Sequence, residues 1–325
     1  MFYINSNSTD PSFNLALEQY AFDTLSQNDD VFMLWQNRDA VIVGLHQNTF
    51  EEINCGYLEK HNISVVRRLS GGGAVFHDLG NINYTFITRI HDSSVFDFSD
   101  SCQPVVDALL AMGLHVEFSG RNDITIGGKK FSGNARYFRD GRLMQHGTLL
   151  FDADLDKMAE ALRVPDDKLI SKGIKSVRSR VTNLRDYLDL TLDEFRSALR
   201  KSIACDMPEY ILSEQDNMAI NIIKHNRYSL WEWNYGKSPE FSIVKRRRLE
   251  NFGAIRLSMD VNNGIITAFA TDGDYFGIRP YSGIADSLRG VKLERDALLH
   301  ALCTLPLNEY YEGLSANELV NLILE

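Results

Sequence analysis

Residues 123–134 read DITIGGKKFSGN, in which polar and apolar residues alternate on either side of Gly127-Gly128. Two adjacent glycines readily adopt the positive φ angles of a two-residue hairpin turn. Cross-strand partners in such a hairpin share a face of the sheet. The expected pairs are Ile126 with Lys129, Thr125 with Lys130, Ile124 with Phe131, and Asp123 with Ser132. This register predicts that Lys130 lies beside a carboxylate on a polar face, whereas Lys129 lies at the hairpin tip.

Further hairpins and helices extend the same pattern along the chain. Asp140-Gly141 and Asn263-Gly264 each separate two apolar segments, and Asp10-Pro11 is typical of a helix start. Strands mixed with helices, and joined partly by hairpins, indicate an α+β fold with a mixed β-sheet and flanking helices. We expect a large domain over residues 1–245 and a small α+β C-terminal domain over residues 253–325.

Composition excludes several classes of protein. The 325 residues include 44% apolar and 24% charged residues, as in ordinary globular proteins. The net charge of −10 argues against nucleic acid as a partner, and no apolar stretch is long enough to predict a membrane span. The four widely spaced cysteines favour neither a zinc site nor disulfides. We expect a cytoplasmic protein without a secretory signal.

Two basic stretches stand out in this acidic chain. For Lys245-Arg246-Arg247-Arg248, a solvated linker is favoured over a contact for an acidic partner. The stretch from Ser171 to Leu184 is rich in cations and hydroxyl groups. It fits a phosphate-facing loop and a solvated loop equally well.

The segment Arg67–Asp78 contains three successive glycines between two arginines and a histidine. Glycines in this position permit close approach of a ligand to exposed backbone N–H groups, which suit phosphate or carboxylate oxygens. Arg67 and Arg68 would supply charge-assisted hydrogen bonds to the same oxygens. Neither the P-loop pattern nor G-x-G-x-x-G is present, because Phe76 stands where the last glycine is required.

The segments resemble, in order, the sequence blocks of the lipoate–protein ligases in the biotin/lipoate ligase superfamily. The matching blocks are Arg67–Asn81, Gly120–Asp123, Lys130–Gly133, His146–Leu150, Ser176–Leu184 and Trp231–Asn234. The resemblance implies a ligase that uses ATP to convert lipoate into lipoyl-AMP with release of pyrophosphate. The lipoyl group then passes to a lysine of an apo-lipoyl domain of 2-oxoacid dehydrogenases or of the apo-H protein of glycine cleavage.

We expect Lys130 to be the catalytic residue, because a fixed cation reduces the repulsion between the lipoate carboxylate and the α-phosphate. Asp123 is the candidate ligand of Mg²⁺, which prefers carboxylate and phosphate oxygens. Val75 and Phe76 are candidates for lining an apolar tunnel. The complete set of expected ATP and lipoate contacts is Arg68, Ser70, Gly71, Gly72, Gly73, Ala74, Val75, Phe76, His77, Asn83, Asp123, Lys130, Ser132, Gly133, His146 and Thr148.

Three alternatives remain open at this point. An ATP-independent lipoyl or octanoyl transferase would use a cysteine nucleophile, although the cysteines lie outside the glycine, lysine and histidine blocks. A biotin ligase would share the fold. A non-catalytic acyl-adenylate sensor or adaptor would have no need for both Lys130 and Asp123.

Overall fold

A computed structural model describes residues 1–27, 29–90, 98–119, 122–162, 180–238, 241–249, 252–273, 279 and 281–324. The chain divides into two compact units. The first comprises Met1–Gln47 and Asn62–Leu230, and the second comprises Asn48–His61 and Trp231–Glu325. None of the helices among these residues combines the length and the apolar character needed to cross a bilayer.

The first unit is built on a seven-stranded sheet of β1 (Phe2–Asn5), β2 (Val31–Trp35), β6 (Asn81–Arg89), β7 (Glu117–Ser119), β8 (Asp123–Ile126), β9 (Lys129–Arg139) and β10 (Arg142–Leu150). The strand order in this sheet is β1-β2-β6-β10-β9-β8-β7. β1 and β2 are parallel and the other neighbours are antiparallel, so the expected mixed sheet is confirmed. A second sheet contains β3 (Ala40–Val43), β4 (Ser64–Arg67) and β5 (Val75–His77) in the order β4-β3-β5.

The two faces of the large sheet have different neighbours because side chains alternate along each strand. Ile82, Tyr84 and Phe86 of β6 lie in a core that includes Cys102 and Phe195 from two helices. The residues between them, including Asn83 and Thr85, are buried on the opposite face. That opposite face carries the polar groups that form the candidate site.

Helices surround these sheets. The larger ones in the first unit are Pro11–Asp23, Phe98–Ala111, Leu155–Ala161, Leu192–Ala204 and Glu214–Ile223. Asp10 caps the first of them by accepting a hydrogen bond from the Ser12 N–H, as its sequence predicts. The second contains Pro104 in its interior, and Gly113, with φ of 87°, follows its C-terminal end.

All three predicted hairpin turns form at the glycine-containing residue pairs. The residues Gly127-Gly128, Asp140-Gly141 and Asn263-Gly264 all have positive φ. The register of the first hairpin, however, is correct only for its two inner pairs. A β-bulge places Ser132 opposite Ile124 and Gly133 opposite Asp123, so the expected pairs of Ile124 with Phe131 and Asp123 with Ser132 are wrong. A bulge sets two residues against one, which simple alternation cannot anticipate.

The second unit contains a three-stranded antiparallel sheet of β11 (Phe241–Leu249), β12 (Gly253–Asn262) and β13 (Ile265–Gly273). Its helices are Thr49–Glu52, Cys55–Lys60, Trp231–Asn234, Ser282–Leu288, Arg295–Cys303, Leu307–Tyr310 and Ala316–Leu324. Alternate residues of β12, among them Ile255, Leu257 and Met259, enter a core shared with these helices.

Two expectations about this region differ from the structure. Lys245–Arg248 is not a linker, because it lies within β11 and pairs along its length with β12. The second unit begins at Trp231 and also includes residues 48–61, whereas we expected a boundary near residues 245–253. Thr49 shows why this earlier segment belongs there, since its hydroxyl donates to the Asn234 carbonyl at 2.6 Å.

Candidate active site

An open cleft of about 600 Å³ lies in the first unit, between the polar face of the large sheet and the small sheet. Most of the expected contact residues line it. The lining residues are Leu15, Trp35, Ile42, Arg68, Gly72, Gly73, Ala74, Val75, His77, Asn83, Asn122, Lys130, Gly133, Asn134, Ala135, His146, Gly147 and Thr148. The hairpin and the glycine segment therefore meet at one cleft, although more than 40 residues separate them in sequence.

Lys130 projects from β9 into this cleft. Its Nζ forms an ion pair with Asp123 Oδ1 at 2.7 Å, and the two side chains are about one-third exposed, at 36% and 35%. Gly133 makes room for it, since a Cβ at that position would lie 2.9 Å from Nζ. Lys129 is exposed at the hairpin tip. The distinction between the two lysines that the sequence predicts is present in the structure.

The glycine segment is held by Arg68 rather than open on all sides. The Nη2 of Arg68 donates to the carbonyls of Gly71 at 2.7 Å and Gly73 at 2.8 Å. Its Nη1 donates to the Ile42 carbonyl at 3.0 Å. Burial lowers the pKa of this guanidinium to about 10, which leaves it charged at neutral pH. Arg68 thus lines the cleft with most of its donors already engaged by the loop.

Close backbone packing fixes the position of this loop. Gly72 has φ of +92°, a conformation that favours glycine. A Cβ on Gly44 would overlap the Gly72 carbonyl oxygen, so only a glycine at position 44 allows the loop to approach β3. Nothing in the glycine pattern itself pointed to Gly44.

Arg67 does not face the cleft, contrary to expectation. Its Nη1 donates to the carbonyls of Gly44, Leu45 and Gln47 at 2.7–3.2 Å, and the side chain is fully buried. Burial lowers its pKa to about 10. Arg67 is the last residue of β4 and Arg68 the next, so alternation turns the two guanidinium groups in different directions. Only one of the two arginines is available to a ligand in the cleft.

Ser70 and His146 belong to a buried hydrogen-bond chain. Ser70 Oγ lies 2.6 Å from His146 Nε2, and His146 Nδ1 lies 2.8 Å from Glu18 Oε1. Arg68 Nε donates to the same Ser70 Oγ at 3.0 Å. Because a carboxylate only accepts, the Nδ1–H of His146 donates to Glu18. These hydrogen bonds connect the first helix, β10 and the glycine loop.

This series of hydrogen bonds has the order of a serine–histidine–carboxylate relay, but Ser70 is not positioned to act as a nucleophile. Ser70 is 1% exposed and does not line the cleft. Its oxygen also accepts a hydrogen bond from the Arg68 guanidinium, which lowers the electron density available for attack. We interpret Ser70 as support for the loop. Glu18 was not anticipated, and its position inside the apolar stretch of the first helix is the signal that could have identified it.

Alternation along β5 separates two other expected contacts. Val75 and His77 line the cleft, whereas Phe76 between them is buried and does not line it. The expectation that Phe76 lines the tunnel is therefore wrong for this structure. Its side chain lies on the other side of the strand.

His77 is held as a neutral imidazole. Burial, followed by the charges of Arg68 and His146, lowers its pKa to about 3. Its Nδ1 lies 3.1 Å from Asn37 Nδ2, and Asn37 Oδ1 in turn accepts from Asn14. These contacts orient the Asn37 amide as a donor, so His77 carries its proton on Nε2.

Five of the expected contacts do not line the cleft. They are Ser70, Gly71, Phe76, Asp123 and Ser132. Ser132 is fully buried because the bulge turns it away from the polar face. Asp123 lies behind Lys130 as its ion-pair partner. Among the described residues, no group of three or more His, Cys, Asp or Glu side chains is arranged to hold a metal ion.

Other expectations fall on residues that the structure leaves undescribed. Gly120, Arg121 and the stretch from Ser171 to Ser179 lie outside the described ranges. Arg180–Leu184 is described, and the Thr182 N–H donates to the Lys130 carbonyl at 2.9 Å. The end of the basic stretch therefore adjoins the lysine strand.

The lining also includes residues that sequence reasoning missed. Leu15, Trp35 and Ile42 form an apolar part of the cleft, and Asn122, Asn134, Ala135 and Gly147 complete the hairpin side. The apolar residues look like ordinary core residues in the sequence, and only tertiary packing brings them to the cleft. The cleft thus has an apolar region and a cationic region, an arrangement that suits an apolar chain ending in an anionic group.

Known proteins that resemble this chain act on a ligand of this kind. Residues 10–204 match the family model described as the lipoyl protein ligase A/B catalytic domain, and residues 238–323 match that of the bacterial lipoate protein ligase C-terminus. The chain is 42% identical to the lipoate-protein ligase LplJ of Bacillus subtilis and 38% identical to lipoate–protein ligase 1 of Staphylococcus aureus. Each match covers 99% of both chains.

Solved structures of ligases also share the fold. An archaeal bipartite lipoate protein ligase from Thermoplasma acidophilum, described with its E2 lipoyl domain, has a TM-score of 0.67 at 29% identity over 73% of this chain and 96% of its own. A lipoate-protein ligase A bound with ATP has a TM-score of 0.65 at 27% identity, over 73% of this chain and 98% of its own. Protein Ta0514 of T. acidophilum, with bound lipoic acid, has a TM-score of 0.63 at 25% identity over 72% and 98%. This chain belongs to the lipoyl protein ligase A/B family.

Proposed function

We propose that this protein is an ATP-dependent lipoate–protein ligase in which Lys130 is the catalytic residue. The observation that carries the proposal is the position of the Lys130 ammonium group. It lies at the cationic end of a cleft that also contains the glycine loop and an apolar region. Related structures with ATP or lipoic acid support this choice of substrates.

The dimensions of the cleft fit an acyl chain lying across the strands. Trp35 on β2 is paired with Asn83 on β6, Asn83 with Thr148 on β10, and the Gly133 N–H donates to the Thr148 hydroxyl at 3.1 Å. Four adjacent strands at ordinary spacing place Trp35 about 14 Å from Gly133 and the nearby Lys130. An extended medium-length acyl chain would span this distance, with its carboxylate at Lys130.

In the first half-reaction, a lipoate carboxylate oxygen attacks the α-phosphorus of ATP. The bond to the β-phosphate oxygen breaks, and pyrophosphate leaves with that electron pair. Lys130 reduces the repulsion between the two anions, because a fixed cation between them needs no reorganisation. Arg68 would donate any N–H group that the loop does not use to a phosphate oxygen, and it would hold the loop beside the phosphates.

In the second half-reaction, the amine of an acceptor lysine attacks the carbonyl carbon of lipoyl-AMP. AMP leaves, an amide bond forms, and the amine loses a proton. Lys130 would stabilise the negative charge that develops on the carbonyl oxygen. Positioning and electrostatics suffice for both steps, so no covalent enzyme intermediate is required.

Asp123 remains our candidate contact for Mg²⁺. It is a single carboxylate, about one-third exposed, and it fits an ion that brings most of its ligands as ATP phosphates and waters. When bound, the ion would neutralise phosphate charge. The ion pair supports a second proposed role for Asp123, which is to hold Lys130 in place.

The proposed acceptors are the apo-lipoyl domains of 2-oxoacid dehydrogenases and the apo-H protein, and we propose that the reaction occurs in the cytoplasm. Support for a lipoyl-domain acceptor comes from the archaeal ligase that is described with its E2 lipoyl domain. The absence of a bilayer-spanning helix among the described residues is compatible with a cytoplasmic enzyme.

The cysteine-dependent transferase is not favoured by the structure. No cysteine is among the cleft-lining residues of the described chain. Cys102 is buried, and burial raises the pKa of its thiol to about 11, which disfavours the thiolate.

The experiment that tests the proposal supplies the protein with Mg-ATP, lipoate and an apo-lipoyl domain. We expect pyrophosphate release and a mass increase of one lipoyl group on the acceptor. Omitting ATP should abolish both. Transfer from an acylated donor without ATP, with a thioester on the enzyme, would instead establish the transferase.

A further inference from the structure

The carboxylate of Glu18 is buried on the helix Pro11–Asp23, where the residue is 2% exposed. A buried carboxylate is costly unless hydrogen bonds replace the water that it loses. Its Oε1 accepts two such bonds, from Thr85 Oγ1 at 2.7 Å and from His146 Nδ1 at 2.8 Å. Thr85 on β6 and His146 on β10 lie directly opposite each other. One oxygen of the helix therefore holds two neighbouring strands of the large sheet.

The Thr85 hydroxyl extends this contact to the apolar region of the cleft. Trp35 Nε1 donates to Thr85 Oγ1 at 2.9 Å, and both residues are buried. A hydroxyl carries a single hydrogen, so the bond to Glu18 directs that hydrogen away from Trp35 and leaves the oxygen free to accept. The resulting bond fixes the orientation of the indole ring, which lines the cleft at the proposed acyl end.

The His146 ring extends the contact in the other direction, to the glycine loop. Its Nε2 lies 2.6 Å from Ser70 Oγ, which accepts from Arg68 Nε at 3.0 Å. Arg68 in turn holds two carbonyls of the loop. Burial lowers the pKa of Arg68, and the negative charge of Glu18 opposes this by raising it. Glu18 thus supports the loop through hydrogen bonds and through charge.

We infer that Glu18 is a positioning residue that sets Trp35 at the acyl end of the cleft and Arg68 at the glycine loop. Trp35 and Arg68 line the cleft, whereas Glu18, Thr85 and Ser70 do not, so Glu18 acts through its partners. An apolar side chain at position 18 would avoid the cost of burying a carboxylate, but it could accept neither bond. This role rests on the proposed function, because it assigns lipoate to one end of the cleft and the ATP phosphates to the other.

The test breaks the two arms separately in the full-length protein. Thr85→Val breaks the arm to the indole while keeping the shape of the side chain, and Ser70→Ala breaks the arm to the loop. Glu18→Ala removes both arms, whereas Glu18→Gln keeps an oxygen that can accept both bonds. The matched control is Ser26→Ala, since the Ser26 hydroxyl is also buried but donates to the Phe22 carbonyl outside the cleft lining. KM and kcat are measured for lipoate-dependent exchange of pyrophosphate into ATP, and thermal unfolding establishes that each variant is folded.

We expect Thr85→Val to raise the KM for lipoate about three- to tenfold, the effect of one lost hydrogen bond, and to leave the KM for ATP unchanged. Ser70→Ala should show the reverse. Glu18→Ala should raise both KM values, whereas Glu18→Gln and Ser26→Ala should stay close to the wild type. Thr85→Ser, which keeps the hydroxyl, should retain the wild-type KM for lipoate. A purely structural role would lower the fraction of active enzyme, and therefore kcat, without this separation by substrate.

Unchanged KM values in a folded Glu18→Ala variant would overturn the inference. So would a Thr85→Val variant that raises the two KM values equally, because the arms would then not be separate. Equal losses in Glu18→Gln and Glu18→Ala would also overturn it, since charge rather than position would then be responsible. If Glu18→Ala does not fold, the comparison of Thr85→Val with Ser70→Ala still decides.

Absence of exchange in the wild type would instead count against the proposed function. Calorimetric binding of lipoate and of ATP to the same variants would then still test the two arms.

Discussion

The lysine hairpin and the glycine loop meet at the same cleft, yet they present their charges in opposite ways. The hairpin projects Lys130 into the cleft and supports it with Asp123. The loop turns Arg68 onto its own carbonyls, and Arg67 is buried away from the cleft. A regular strand determines where its side chains point, whereas a loop's basic residues are first used to hold the loop. The hairpin supplies the proposed reactive charge, and the loop supplies shape.

The largest expected effect is on the hairpin. Lys130→Ala should reduce lipoate-dependent exchange of pyrophosphate into ATP by roughly 100- to 1000-fold, because it removes the cation between two anionic reactants. Lys129→Ala is the matched control and should be mild, since that side chain is exposed at the tip. Equal losses in the two variants would remove the distinction between the adjacent lysines.

Gly44→Ala tests the shape of the loop. The added Cβ would overlap the Gly72 carbonyl, so we expect the free energy of unfolding to fall by about 3 kcal/mol, accompanied by a higher KM for ATP. Chemical denaturation measures the first effect. Gly73→Ala provides the comparison for stability, since a Cβ there would meet no atom within 4 Å. A fully stable Gly44→Ala protein would show that the loop is not fixed by this contact.

His77 provides a test by pH. Its pKa is lowered to about 3 in the folded protein, below the ordinary value of about 6.5, so the unfolded chain binds the extra proton first as pH falls. This histidine therefore makes stability decline between pH 6.5 and 3. From pH 6.5 to 5 the free energy of unfolding should fall by about 2 kcal/mol more in the wild type than in His77→Gln. Parallel pH profiles of the two proteins would contradict this assignment.

Ser70→Ala should have the smallest effect of these four changes. It leaves Arg68 Nε and His146 Nε2 without their common partner, and we expect a loss of about 1–2 kcal/mol in stability. Ser132→Ala is a comparison at a second buried hydroxyl, which accepts a bond of 3.4 Å from Asn134 and also hydrogen-bonds Tyr84 but contacts neither Arg68 nor His146. If Ser70→Ala removed catalysis entirely without loss of stability, Ser70 would have a direct chemical role instead.

Much of this molecule follows from local patterns. The glycine-containing turns, the cap at Asp10 and the strands of the mixed sheet are predicted by turn chemistry and alternation. The bulge at Phe131-Ser132 was not predicted, because it depends on how the hairpin packs rather than on its own residues. The same holds for Trp35, which looks like part of a core until folding places it at the cleft. The sequence predicts a linker at Lys245–Arg248 because four consecutive charged residues hide the alternation of β11.

The most direct test of the central claim is a crystal structure with a non-hydrolysable analogue of lipoyl-AMP. We predict that Lys130 Nζ lies about 3 Å from an oxygen of the acyl–phosphate linkage, with the acyl chain extending toward Trp35. A structure in which Lys130 stays paired with Asp123 alone, and the linkage binds elsewhere, would contradict the account.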